Sequence, residues 1–390
     1  MIIYYISPSE MPSRTANSIH VARICEAFTS LGHEVTLFIC RTLPESDNLR
    51  SSIEKFYGIS LREIKLISFY SRWWHIALNL RIALFASCFV LVKLIRRCSQ
   101  DIIISRNLYA AFFLKRLARR RLLFETHELE YGFRKRIQGA IIKDDAVPKV
   151  FISKALYQRL CEHHGYAIQK SIILPDAAHA GVNRLQPQQK VNLRKEHLSS
   201  QDLDKYTYHA GYFGHLYSGR GIEIVQALAA RHPEIAFWIY GGNDEQITLL
   251  KQRNNANNMK VMGYVNPSNV LEIMSMMDVL LMPYQKMVSI GGRNRSDTAS
   301  YMSPMKMFEY MAAGVPIIAS RLPVLEEILI DGQNCLMAVP DDPLSWSGCL
   351  DKIKGSEILS EKLAKTAHDE YRQRYTWNVR AQKMIDLIGK

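Results

Sequence analysis

Short apolar strands alternate with amphipathic helices along the chain in two successive series, and this alternation constrains the fold more than any other feature. A strand that returns through a helix lies parallel to the one before it, so each series specifies a parallel sheet with helices on both faces. The first series places strands at residues 1–7, 34–39, 102–105, 122–126, 150–152 and 172–174. Between the first two, a helix over 18–31 carries Ile19, Ala22, Ile24, Ala27 and Phe28 on its apolar side and stops at Gly32. Residues 183–205 are rich in Gln, Asn and Lys without a sustained period and are expected to form a linker. The second series places strands at 210–213, 236–240, 260–262, 279–282 and 316–319, and a last helix at 377–388 follows the completed sheet. At 390 residues the chain is long enough for two such domains. The expected division is 1–182, a linker 183–205, and 206–375, with 376–390 returning to the first domain.

Composition narrows the class. Hydrophobic residues make up 48% and charged residues 22%, which excludes extensive disorder. Seven scattered cysteines without a CxxC pair read as reduced, buried thiols in a cytoplasmic protein, and the N-terminus lacks the pattern of a secretory signal. The net charge of +13 is uneven: residues 1–180 carry 26 Lys and Arg against 15 Asp and Glu. The excess includes Lys115, Arg116, Arg119, Arg120 and Arg121, and also Arg134, Lys135 and Arg136. Such a patch either attracts phosphate-bearing partners or is a solvated helix face. The apolar run from Ile82 to Val92 is too short to span a bilayer. Flanked by Trp73, Trp74, Arg96 and Arg97, it is either a core helix or one lying on an anionic membrane surface. Around residues 115–121 the basic residues alternate with Leu114, Leu117, Ala118, Leu122 and Leu123, as in an amphipathic helix. No nucleic-acid-binding motif accompanies them, so a nucleic-acid partner is not expected.

Chemistry concentrates in the second half. The segment from Gly211 to Gly221 is a strand, a flexible turn and a helix start, with Arg220 between Gly219 and Gly221. Glycines let the backbone approach an anion, and Arg220 offers a planar fork for phosphate oxygens. Further on, Ser303 reads as the N-cap and Pro304 as the first residue of a helix that Gly314 stops. Lys306 lies in the first turn, where the helix dipole disfavours a cation and a bound diphosphate would reverse the sign. Glu309 is one turn further along the same face, so a carboxylate and a cation flank one helix N-terminus, or the two are an exposed surface pair.

The segment from Phe308 through Gly314, Val315 and Pro316 to Ala319 resembles the donor-site helix and following strand of the retaining glycosyltransferases of family 4. The resemblance extends to Asn17–Val21, to Gly32-His33-Glu34-Val35, to Gly263-Tyr264-Val265, to Asp278–Leu280 with Pro283, to Glu327–Asn334 and to Tyr375-Thr376-Trp377. It implies the GT-B fold: α/β, two facing Rossmann-like, doubly wound domains with a central cleft. It also implies transfer of a hexosyl group from a nucleoside diphosphate sugar, usually a UDP-sugar, to a hydroxyl. Retention at the anomeric carbon is implied as well, in polysaccharide or glycolipid biosynthesis. By the same resemblance Glu309 binds the ribose hydroxyls and Arg220 neutralises the leaving diphosphate, a charge that Lys306, by its place at a helix N-terminus, can also meet. His127 faces the transferred sugar, and the backbone at Tyr264 and Val265 holds the base. Met302, Ser303 and Met305 line the donor helix entrance, and Asn17 belongs to the N-terminal contacts. Tyr301 stands where the family has the first glutamate of its E-x7-E pattern, and His215 where it has an arginine of the diphosphate pair.

No metal and no cofactor are expected beyond the donor itself. The Asp202-Leu203-Asp204 triplet matches a metal-binding DxD but lies in the expected linker rather than after a buried strand. His163-His164 lacks further ligands at a metal-like spacing. The expected partners are a nucleotide-sugar donor, a sugar or lipid-linked acceptor and an anionic membrane surface, which would place the protein in the cytoplasm or peripherally on the inner membrane face. Two rival readings share the fold: a nucleotide-sugar epimerase or hydrolase, and a non-catalytic sugar-nucleotide-binding subunit.

Overall fold

A computed structural model describes residues 1–389 apart from 42–48, 71–74, 97–99, 119–120, 180–182, 255 and 288–299. Trp73, Trp74, Arg97, Arg119 and Arg120 therefore lie outside the described residues. The chain forms two compact units, one of Met1–Asp176 with Thr376–Lys390 and one of Ala177–Tyr375.

In the first unit, strands β1 (Ile2–Glu10), β2 (Glu34–Arg41), β3 (Ile64–Tyr70), β4 (Ile102–Ser105), β5 (Leu122–Thr126), β6 (Lys149–Phe151) and β7 (Ser171–Ile173) make one sheet. Its order is β3-β2-β1-β4-β5-β6-β7 and every pairing is parallel. The second unit has β8 (Tyr208–Phe213), β9 (Ile235–Tyr240), β10 (Met259–Gly263), β11 (Val279–Met282), β12 (Ile317–Ser320) and β13 (Leu336–Ala338). These are ordered β10-β9-β8-β11-β12-β13, again all parallel. Strand order reverses beside β1 in one unit and beside β8 in the other. Ligands of doubly wound sheets sit at the carboxyl ends of strands at such a reversal. In the second unit, Val225, Leu228, Phe237, Ile239, Leu281 and Trp346 belong to one buried cluster that fixes its helices on the sheet.

Several expectations are corrected. Residues 183–205 do not form a plain linker: Pro187–His197 and Ser200–Lys205 are helices. The first starts with Pro187 at its first position and a reciprocal Gln186–Gln189 capping pair, yet it buries no residue, so it shows no apolar period. It docks through long side chains instead. Arg194 donates to the Met276 carbonyl and pairs with Asp278 at 2.7 Å, and Lys190 donates to the Met277 carbonyl. The basic stretch does not continue as a helix past Leu114 either: the helix Leu108–Leu114 ends there, turns follow over 115–117, and Leu117 is 72% exposed.

The apolar run belongs to a helix over His75–Arg96 that is core on one side only. Ile82, Ala83, Ala86 and Val90 are buried, while Leu80, Leu84, Phe85 and Val92 are exposed. Of the described cysteines, Cys25, Cys40, Cys335 and Cys349 are buried, whereas Cys88 is exposed and Cys161 half-buried. No described helix is long and apolar enough to cross a membrane.

Candidate functional site

At the carboxyl end of β8 the chain turns through residues 214–221 into the helix Ile222–Arg231. Gly221 has φ 77°, and a Cβ there would lie 1.7 Å from the Pro283 carbonyl oxygen, so only glycine lets the turn pack so closely. The Gln285 amide N–H donates to the Gly219 carbonyl and closes the contact. Arg220 is thereby held with its guanidinium over the Tyr284 ring, 4.9 Å from the centroid. Its Nε is buried without a hydrogen-bond partner.

The second cation comes from the helix Met305–Ala313, which starts one residue later than the sequence suggests: Pro304, not Ser303, is the N-cap and caps with no side chain. Gly314 terminates it in the left-handed conformation. Tyr310 anchors this helix to the sheet, its hydroxyl donating to the Leu281 carbonyl and accepting from the Phe213 N–H. Lys306 therefore stands in the first turn beside Gly214, and a Cβ at Gly214 would lie 3.2 Å from its Nζ. Burial pushes the Lys306 ammonium down to about 8, with Arg220 adding to the shift and Glu309 opposing it. Among the described residues neither Arg220 nor Lys306 has a carboxylate within ion-pair distance. Two cations therefore stand at the carboxyl end of one sheet, with Glu309 one turn beyond Lys306 as the carboxylate whose field reaches it.

The other expected donor residues occupy the same unit. His215 is exposed and its ring stacks on Tyr217 at 5.0 Å. Partial desolvation, then Lys306 and Arg220, lower its proton affinity to about 4, so it is neutral at pH 7. Glu309 is half-buried, one turn beyond Lys306. Tyr301, Ser303 and Met305 are buried, and Met302 half-buried. Tyr264 is exposed and Val265 half-buried, just past the end of β10. Asp202 pairs with Lys260 at 2.7 Å and accepts from Ser199, which makes the DxD triplet a structural contact.

In the first unit His127 follows β5 and belongs to a polar network that sequence reasoning missed. Arg106 Nη2 lies 3.1 Å from His127 Nδ1, and because arginine only donates, Nδ1 is the acceptor and Nε2 carries the proton. That proton goes to Glu125 Oε1 at 2.8 Å. Burial foremost, then Arg106, holds His127 at about 4 against the pull of Glu125, so the ring is neutral. Both ring nitrogens are thus committed within the unit. Glu125 is the hub: Arg380 Nη2 donates to it at 2.8 Å and the Tyr5 hydroxyl at 3.2 Å, and His20 lies at 3.2 Å. Nδ1 of His20 is 2.7 Å from Asp176. Burial alone would raise the Glu125 carboxyl, but Arg380 first, then His20 and His127, hold it well below the usual range.

His20, Glu125 and His127 lie close enough together to invite a metal. The donor set does not fit one, because the Glu125 oxygen they share already accepts from Arg380 and His127. Nη1 of Arg106 is buried without a hydrogen-bond partner. Asn17 is exposed in the first turn of the helix Ala16–Ser30 and donates to Ser9. The sequence carried one signal for this network, charged residues at the carboxyl ends of apolar strands, but nothing in it reveals which strands are neighbours.

The chain is similar over its full length to solved structures of low sequence identity. Anabaena Alr3699/HepE in complex with UDP and glucose matches 100% of this chain and 99% of its own, with TM-score 0.71 and 13% identity. Sucrose-phosphate synthase from Thermosynechococcus elongatus matches 99% and 98%, with TM-score 0.72 and 16% identity. The fold is GT-B. Within it, residues 211–353 match the family model of the glycosyl transferases group 1, the span that holds Arg220, Lys306 and Glu309. A stretch of 81 residues is 25% identical to the D-inositol 3-phosphate glycosyltransferase of Corynebacterium diphtheriae, covering 21% of this chain and 19% of that relative. The GT-B fold and the group 1 match together support a glycosyltransferase of that type.

Proposed function

We propose that the protein transfers a hexosyl group from a nucleoside diphosphate sugar to a hydroxyl acceptor, with retention and without metal. The observation that carries this reading is the pair of cations, Arg220 and Lys306, at the carboxyl end of β8, neither of which has a carboxylate within ion-pair distance among the described residues. A diphosphate supplies the missing charge, and its negative charge grows as the glycosidic bond breaks, so the pair favours departure of the nucleotide. Glu309 then holds the ribose, the backbone past β10 holds the base, and the leaving phosphate accepts the proton of the incoming hydroxyl. Uridine as the base is supported by the UDP and UDP-glucose complexes of HepE. His127, neutral and fixed in one tautomer, offers the transferred sugar a ring edge rather than a free N–H. Assays with UDP-sugars and an acceptor panel should show acceptor-dependent UDP release that persists in excess EDTA. Complete loss in EDTA, restored by manganese or magnesium, would remove metal independence, and failure to bind any nucleoside diphosphate would remove the donor site.

The acceptor is expected to be a sugar or a lipid-linked sugar met at an anionic membrane surface. The exposed Leu80, Leu84, Phe85 and Val92 of the helix His75–Arg96, in a unit rich in Lys and Arg, support this. Vesicles containing phosphatidylglycerol should co-sediment the protein at low salt and release it as salt rises, while phosphatidylcholine vesicles should not. Equal indifference to both at low salt would return this face to ordinary solvated surface.

A further inference from the structure

The helix Gly132–Ile142, in the first unit, carries a cationic stripe of its own. Gly132, Lys135, Arg136, Gly139, Ala140 and Lys143 recur at intervals of three and one, so they form a single stripe along this helix and its cap. The stripe borders a groove of about 460 Å³ whose other wall is His164 and Tyr166. Small residues in the middle of the stripe make the floor. A Cβ at Gly139 would lie 3.0 Å from His164 Nδ1, and the Tyr166 hydroxyl donates to the Gly139 carbonyl at 2.9 Å. The far wall is therefore fastened to the floor.

The charge of this groove is one-sided. Lys135 and Arg136 stand towards one end and Lys143 at the other, and among the described residues no carboxylate lines it. Neighbouring cations are already used: Arg134 is paired with Glu130, and Lys115 donates to the Ala140 carbonyl. Among the described residues Lys135, Arg136 and Lys143 make no ion pair. The field reaches His164, which burial foremost, then His163 and Lys135, push down to about 4. At the Gly132 end the flanking Tyr131 and Phe133 are 70% and 71% exposed, an apolar pair beside a cationic groove.

We infer that this groove binds the phosphate of a phosphate ester, with Lys135, Arg136 and Lys143 as its ligands and Tyr131 and Phe133 beside its organic part. Three long cationic side chains that can reach in from the two ends of a groove floored by small residues suit a phosphate, which needs several charge-assisted hydrogen bonds and room for its oxygens. The ester is either a soluble phosphorylated compound or a lipid headgroup, and the aromatic pair separates the two.

Calorimetric titration decides the matter when run in an Arg220→Ala/Lys306→Ala background, so that the second unit's cations do not compete. The probes are glycerol 1-phosphate and dihexanoyl phosphatidic acid below its micelle concentration. At least one should saturate near one ligand per chain. Adding Lys135→Ala/Lys143→Ala should weaken it about tenfold or more, as expected when charge-assisted hydrogen bonds are lost. The exposed pair Lys251→Ala/Lys383→Ala, which removes the same charge elsewhere, should leave affinity unchanged. Equal binding of both probes assigns a soluble phosphate ester. Preference for the lipid, abolished by Tyr131→Ser/Phe133→Ser, assigns a headgroup. Absence of saturable binding by both probes, or binding indifferent to Lys135 and Lys143 in variants with normal melting, overturns the inference. Neither result bears on sugar transfer, which the UDP-release assay reads separately.

Discussion

Replacing Arg220 by alanine is expected to lower kcat by about 10² to 10³-fold, the cost typical of removing one preorganised group that faces developing charge. The donor KM should rise much less. The reason is the placement of the side chain: a glycine turn fixed against Pro283 and stacking on Tyr284 hold the guanidinium before any ligand arrives. A contact already in position gains most where charge grows most, which is the transition state. Arg220→Lys should recover part of the loss, because charge returns while the fork geometry and the stacking on Tyr284 do not. Steady-state kinetics with a purified acceptor, and melting curves for each variant, are the measurement. Wild-type kcat with only KM altered would mean that Arg220 holds the donor without assisting departure, in keeping with a loss of uniform binding.

The second large effect is on stability. Arg380→Ala should destabilise the protein by about 3–5 kcal/mol, because it leaves the Glu125 carboxylate buried without its strongest partner. Arg380 also donates to the Leu174 and Pro175 carbonyls, so its loss detaches the C-terminal helix from two strand ends at once. The sign of the pH dependence follows from the carboxyl. In the wild type its folded value is depressed, so its contribution is complete above the unfolded value of about 4.3 and is lost as pH falls through the folded one. Without Arg380 burial dominates and raises that value, so the variant escapes its buried charge as pH drops. The stability gap between the two proteins should therefore narrow from pH 7 towards pH 4. Denaturant titrations at both pH values test this, and a gap that is constant or widens in acid would mean that Arg380 acts by packing alone. Joint replacement by Arg380→Met and Glu125→Leu should restore most of the loss, since a pair of apolar residues leaves no charge uncompensated.

The sequence by itself determined that the chain would form two parallel, doubly wound sheets. A strand buried on both faces, such as Val279–Met282, is apolar throughout, and this is written in the order of residues alone. The glycine stop at Gly314 and the glycine-flanked Arg220 are equally local features, written in neighbouring residues. Edge elements were less legible. Strand β3, over Ile64–Tyr70, buries only its first residue and β13 spans only three, so neither leaves a distinct apolar run. The helix Pro187–His197 went unread because it buries no residue and is held by Arg194 and Lys190 reaching partners more than eighty positions away.

What only the tertiary structure decided is the company each charge keeps. Glu125 looked like one carboxylate in a polar run after a strand. It is the buried centre to which residues 5, 20, 127 and 380 converge, the last 255 positions distant. The same holds for the basic residues of the first unit. The sequence counted Lys135, Arg136 and Lys143 with the rest of the excess charge, while folding paired Arg134 with Glu130, turned Lys115 onto a carbonyl, and left those three around a groove. Backbone periodicity is a short-range property, recorded in neighbouring residues. Charge neutralisation is a property of three-dimensional distance, and no local pattern of residues encodes it.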